Sequence, residues 1–184
     1  MPKTKLVLIA DRGMPKEKVL EPSVQRLLQP MFELGAELQI VEYEPNMGRD
    51  AFSAFAERTE QNGPEWFEPS QEILEAVADA QVVLVHFVCV NRKLLEAAKQ
   101  LRLVVALRSG VENINLEAAK AGHIPVICAP GRLADPVADL TLGLMLAATR
   151  GVVSRELSLH HGAWTPTGQE VPAHCMRVLT VRCV

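Results

Sequence analysis

The chain has 184 residues, 48% of them hydrophobic, and carries 22 acidic against 19 basic side chains for a net charge of −3. That length corresponds to one medium domain, or one domain with part of another, and a domain of about 150 residues buries roughly 70% of its unfolded surface, enough for a core without disulfide staples. Scattered Lys and Arg argue against a basic nucleic-acid face, and the longest apolar runs, 82–90 and 140–148, fall far short of the roughly 20 residues of a membrane span. With an apolar stretch at 6–10 too short for a secretory leader, the expectation is a cytoplasmic protein that binds neither nucleic acid nor membrane.

In chain order, short runs rich in Val, Ile and Leu alternate with segments of helical periodicity, which is the rhythm of a parallel α/β sheet. The first strand is expected at Lys5–Ala10. A helix after Pro22 follows, with Val24, Leu27, Leu28 and Met31 as its apolar stripe until Gly35, and then a strand at Glu37–Tyr43. Between Pro45 and Pro69 the pattern weakens around a helical piece at Asp50–Glu60, read as an insertion over or beside the sheet. Ser70 caps a helix carrying Ile73, Leu74 and Val77, and Val82–Val88 is the most hydrophobic strand, as expected of one buried on both faces. Leu94, Leu95 and Ala98 mark the next helix, Leu103–Leu107 a strand, Leu116–Ala121 a short helix stopped by Gly122 at C′, and Ile124–Cys128 a fifth strand. Right-handed crossovers then give a doubly wound sheet.

After Pro130-Gly131 one long helix is expected over 135–160, with Asp135 and Pro136 at N-cap and N1. Its apolar residues, Val137, Leu140, Leu144 and Ala148 widened by Leu142, Met145 and Leu146, need cover from more than one side. Asp139 within it reads as a buried carboxylate in need of a partner. Residues 162–172 read as loop and 177–183 as one more strand.

Open α/β sheets bind ligands beyond the carboxyl ends of their strands, so the loops after Ala10, Phe87, Leu107 and Ala129 are the ones to inspect. In Arg108-Ser109-Gly110-Val111-Glu112-Asn113, Gly110 would let backbone N–H groups approach an anion such as a substrate carboxylate; an ordinary turn with Gly for backbone freedom is the competing reading. His86 reads as a satisfied core or strand-end histidine, and His160-His161 as cations at a helix C-terminus. The four cysteines, Cys89, Cys128, Cys175 and Cys183, form no C-x-x-C, so no zinc or redox pair is expected, and Cys89 and Cys128 read as small core residues in strands. No G-x-S-x-G, Walker-type loop or G-x-G-x-x-G occurs in the sequence.

Residues 103–164 resemble the D-isomer-specific 2-hydroxyacid dehydrogenases, the group that includes phosphoglycerate and glycerate/hydroxypyruvate dehydrogenases. The resemblance is carried by Val104-Val105-Ala106, the segment from Arg108 to Asn115, Glu117-Ala118-Ala119, Gly122 to Val126, Ala129-Pro130-Gly131-Arg132, Val137-Ala138-Asp139 and Gly162-Ala163-Trp164. It departs where Arg132 stands for the family's frequent Asn and Asp139 for its frequent Glu. The first hundred residues fit the family's substrate domain by strand rhythm.

The resemblance implies a flavodoxin-like substrate domain over 1–131, then an interdomain helix and the beginning of a Rossmann domain over 132–184. It implies NAD- or NADP-linked oxidation of a small 2-hydroxy acid to a 2-keto acid, and a homo-oligomer, a dimer through the long helix and nucleotide domain, in the full-length parent. By position, the amides of Ser109, Gly110 and Val111 would hold the substrate carboxylate, and Ser109 and Thr141 would lie near the cofactor; no metal is implied. The family's glycine fingerprint and its catalytic Arg, Glu and His have no counterpart among these residues, so the chain alone is expected to be an inactive fragment that holds no cofactor tightly. The alternative is a non-enzymatic carboxylate-binding or hetero-oligomerising module derived from such an enzyme.

Overall fold

The computed structural model describes residues 3–131 and 133–163. The chain divides after Pro130 into two compact units. In the first, five parallel strands, β1 (Thr4–Ala10), β2 (Ala36–Glu42), β3 (Val82–Val85), β4 (Leu103–Ala106) and β5 (Val126–Cys128), pair in the order β2-β1-β3-β4-β5. The chain leaves β1 toward β2 on one side and returns to β3 on the other, so the topological switch lies between β1 and β3, at whose carboxyl ends a ligand crevice forms in such sheets. This is the expected doubly wound, flavodoxin-like order.

Alternation along the strands divides the core. Val7, Ile9, Val83, Val85, Val104 and Ala106 belong to one cluster with residues of α3 (Arg49–Asn62), α4 (Gln71–Val77), α5 (Arg92–Ala97) and α6 (Leu116–Ala121). Leu8 and Ala10 belong to a second cluster with Val19. Leu6 to Ala10 are therefore buried throughout, as a strand covered on both faces must be. Three helices begin on side-chain caps: Ser70 Oγ accepts from the N–H of Ile73 at 3.3 Å, Asn91 Oδ1 from Leu94 at 3.0 Å and Asn115 Oδ1 from Ala118 at 2.8 Å. The weak-pattern stretch holds α3, whose Phe55 and Thr59 enter the main cluster region.

Several expectations are corrected. A short helix, α1 (Lys16–Val19), precedes α2 (Pro22–Glu33). On α2, Leu27 is 79% exposed; the inward stripe is Val24, Leu28, Met31 and Phe32, lining an apolar cavity of about 190 Å³ against Leu6 and Leu84. Strand β3 stops at Val85, short of Val88, because the N–H of Phe87 donates to the Asp11 carboxylate, so Cys89 is buried beyond the strand end. Strand β5 starts at Val126, two residues after the expected Ile124. Gly122 at the end of α6 has φ −81°, and the left-handed position falls on His123, φ 54°; a side chain on Gly122 would meet Ile124 Cδ1 at 3.2 Å, so close packing rather than handedness favours glycine there.

In the second unit the expected single helix is two, α7 (Ala134–Arg150) and α8 (Val152–His160), bent by 62°. The break is Gly151, left-handed at φ 60° and ψ 37°, whose N–H closes the last turn onto Ala147 and Ala148. Leu133 takes the N-cap position and moves Pro136 to the third helical position, where its missing N–H is still one of the unpaired first-turn donors. Asp139 is exposed, not buried, and no side chain of α7 or α8 is buried. No single helix among the described residues is long and apolar enough to cross a membrane. The expected strand at 177–183 and most of the loop before it lie outside the described residues.

Candidate functional site

Three segments converge beyond the carboxyl ends of β1, β3 and β4, and side chains tie them together. Asp11, at the end of β1, accepts from the N–H groups of Gly13 at 2.8 Å and Met14 at 2.9 Å through Oδ1, and from Phe87 at 2.7 Å through Oδ2. His86 Nδ1 lies 3.2 Å from Oδ1. Both side chains are buried. Burial pushes the Asp11 carboxyl up, but the His86 hydrogen bond, the Phe87 N–H, the imidazole charge and the Met14 N–H outweigh it and hold the pKa below the ordinary carboxylate value. An ionised carboxylate only accepts, so Nδ1 carries the proton. Nε2 then has no partner among the described residues. Gly13 lies against this ring, where a Cβ would stand 2.4 Å from Cε1 and Nδ1. His86 thus stands just past the end of β3 with a carboxylate partner on Nδ1, and differs from the satisfied histidine expected in that its Nε2 has no partner among the described residues.

Asn113, fully buried, ties the third segment to the second: its Nδ2 donates to the carbonyls of Val88 at 2.9 Å and His86 at 3.3 Å. The backbone adds Val90 N–H to Asn113 at 2.8 Å and Asn115 N–H to Val90 at 2.9 Å. Cys89, in the same segment, is a poor nucleophile: burial and the Glu65 charge, opposed by the Thr59 hydrogen bond, push its thiol up to about 11.

On this frame, in the segment from Arg108 to Glu112, Ser109 and Glu112 are exposed while Arg108, Gly110 and Val111 are half-buried. The N–H groups of Ser109, Gly110 and Val111 donate to no described residue. Ser109 is exposed and Gly110 and Val111 are half-buried, so three successive backbone donors stand at the carboxyl edge of the sheet. The Ser109 hydroxyl donates to Ala129 O at 3.2 Å, joining the loop to the segment after β5. Arg108 lies over the Phe87 ring, Cζ to centroid 4.0 Å, with Nη2 at 3.1 Å from Glu60 Oε1 and 3.5 Å from Glu112 Oε2. The arrangement can hold an anion by backbone donors.

Thr141 belongs to the second unit, exposed on α7, its hydroxyl donating to Val137 O at 2.7 Å. Among the described residues no three His, Cys, Asp or Glu side chains group as metal ligands, and none forms a glycine-rich turn after a strand of the kind that takes a dinucleotide pyrophosphate. These residues do not by themselves fit a dinucleotide. The Asp11–His86 pairing and the Asn113 bridges escaped the sequence reading; only the placement of Asp11 and His86 at strand ends hinted at them.

The 2-1-3-4-5 order of parallel strands, with polar loops at its switch point, is that of a doubly wound α/β domain. The profile of D-isomer specific 2-hydroxyacid dehydrogenases, catalytic domain, matches residues 40–179, and the chain belongs to that family. It is 40% identical over 95 residues to a D-3-phosphoglycerate dehydrogenase of Methanocaldococcus jannaschii, covering 51% of this chain and 18% of that protein. A hydroxypyruvate reductase of Thermotoga maritima is 33% identical over 94 residues, 50% of this chain and 31% of the relative. The matched half of the chain therefore spans less than a third of the length of these relatives. Among solved structures, NAD+-bound 3-phosphoglycerate dehydrogenase of Entamoeba histolytica shares the fold with TM-score 0.53 at 22% identity, over 80% of this chain and 40% of that one. An NAD-dependent formate dehydrogenase of Staphylococcus aureus does so with TM-score 0.53 at 17% identity, over 88% and 43%.

Proposed function

We propose that this chain is the substrate-binding part of an NAD(P)-dependent oxidoreductase acting on a small 2-hydroxy or 2-keto acid, and that Ser109, Gly110 and Val111 hold the acid's carboxylate through their backbone N–H groups. The observation that carries this reading is the row of three free donors at the carboxyl edge of the sheet, in a chain of the 2-hydroxyacid dehydrogenase family. Charge-assisted bonds to a carboxylate are about twice as strong as neutral ones, and donors already fixed by the Asn113 and Ser109 ties lose little entropy on binding. The chemistry of hydride transfer belongs to a nicotinamide bound elsewhere in such an enzyme; the part assigned to these residues is to bind and orient the acid. On this reading residues 1–131 form the substrate domain and 132–184 lead toward a nucleotide domain, with Ser109 and Thr141 on the cofactor side.

The test is a titration of the isotopically labelled chain with glyoxylate or pyruvate, followed by amide resonances. Saturable shifts centred on 109–111 are expected. Shifts confined to other segments, or none, overturn the reading.

A further inference from the structure

The second face of the sheet is incompletely filled. On it Leu8, Ala10 and Val19 are buried, while Leu38, Leu84 and Leu107 stay half-buried around them. Helix α2 lies over this face with Val24, Leu28 and Phe32 on the cavity wall, yet it buries none of its side chains. The space between helix and sheet is the apolar cavity of about 190 Å³, and interiors packed to the density of organic crystals rarely keep a void that large. Its wall is apolar throughout, so a water there would have no hydrogen-bond partner, and apolar cavities of about 150 Å³ take benzene instead. Lys18, exposed on α1, is the one charged residue that lines it. Its methylenes contribute to the wall and its ammonium stays in water at the rim. Lys16 beside it pairs with Glu42 at 3.6 Å, whereas Lys18 pairs with no carboxylate among the described residues. Pro30 inside α2 gives no N–H to the carbonyl one turn back, which loosens the helix beside Met31 and Phe32 on the cavity wall.

We propose that this cavity is a binding site for an alkyl carboxylate of about six to eight carbons, its chain held between α2 and the sheet and its head group on the Lys18 ammonium. The chain supplies the dispersion contacts that an empty void forfeits, and it turns Val24, Leu28 and Phe32 from half-buried into buried. The cation selects the head group: it attracts a carboxylate and is indifferent to a hydroxyl. The site is independent of the 109–111 loop, because pyruvate brings only one methyl group and gains almost nothing from a hydrocarbon wall.

The experiment titrates the 184-residue chain, isotopically labelled on its Leu methyl groups, with acetate, butanoate, hexanoate, octanoate and 1-octanol. Leu8, Leu28 and Leu84 report the cavity; Leu27 on α2 and Leu140 on α7, both largely exposed, report binding to apolar surface in general. Acetate should leave the cavity methyls unmoved. Affinity should then rise about fourfold per added methylene, the factor for burying one CH₂, and level off once the cavity is filled. Octanoate should bind about fivefold tighter than 1-octanol, the ratio for one ion pair in water-like screening, and Lys18→Gln, at an exposed position, should make the two equal. Leu28→Phe should fill the void and abolish binding of the whole series, with the thermal midpoint checking that this variant folds. Cavity methyls unmoved by octanoate, shifts that reach Leu27 and Leu140 at the same concentration, or a preference over 1-octanol that Lys18→Gln leaves unchanged, each overturn the proposal. The amides of 109–111, read in the same titration, keep carboxylate binding at the loop separate from binding here.

Discussion

Asp11 shows how a single side chain organises the ligand edge. Its two oxygens collect three backbone N–H groups and an imidazole from two strand ends, so the carboxylate form is the one the fold requires. A group whose folded pKa lies below its unfolded value stabilises the fold above the unfolded value, about 3.9 for Asp, and loses that contribution as pH falls through the lowered folded pKa. Asp11→Asn, which turns one acceptor into a donor facing N–H groups, should destabilise the chain at pH 7 by roughly 1–3 kcal/mol. The gap between variant and wild type should close below the ordinary carboxylate range. Thermal midpoints measured against pH check this, and a gap independent of pH down to acid would refute it. In the sequence Asp11 reads as a strand end and His86 as a lone polar residue in an apolar run. They are 75 residues apart, and only the switch between β1 and β3 brings them together, which no local pattern encodes.

At the scale of elements, what depended on local chemistry was legible. The cap at Ser70 and the short apolar strands follow from side chains that act within a few residues; Asn91 and Asn115 cap by the same chemistry at positions the sequence reading does not single out. What failed depended on competition. A helix tolerates an internal glycine at a cost of about 1 kcal/mol, so the apolar periodicity around Gly151 predicts one helix, yet Gly151 takes a left-handed turn and splits the stretch into α7 and α8. Within its own unit α7 leaves Val137 56%, Leu140 62% and Leu144 60% exposed. Contiguous apolar surface of that kind marks an interaction site. We expect the chain to self-associate through it. Sedimentation should give a mass above that of the monomer, falling to the monomer in Leu140→Glu/Leu144→Glu with the circular-dichroism spectrum unchanged; a wild-type monomer would dispose of the idea.

Considered whole, the chain carries on the proposed reading one of two tasks that a 2-hydroxyacid dehydrogenase combines. On the proposed reading the loop at 109–111 offers backbone donors to a carboxylate: the sequence supplies Gly110, and among the described residues the N–H groups of Ser109, Gly110 and Val111 have no acceptor, beside a segment that Asn113 ties to Val88 and His86. The family resemblance located this loop; the turn reading and the anion reading differ only in where those N–H groups point. For the dinucleotide the described residues offer no comparable cradle, since the hydroxyls of Ser109 and Thr141 are both turned to backbone carbonyls and no strand is followed by a glycine-rich helix start. Binding of acid and of cofactor should therefore be separable in this chain. Pyruvate should move the amide resonances of 109–111 whether or not NADH is present, and NADH alone should move none of them saturably. Saturable NADH binding at these amides would refute that separation and make 109–111 part of a nucleotide site of a kind the glycine pattern of the described residues does not encode.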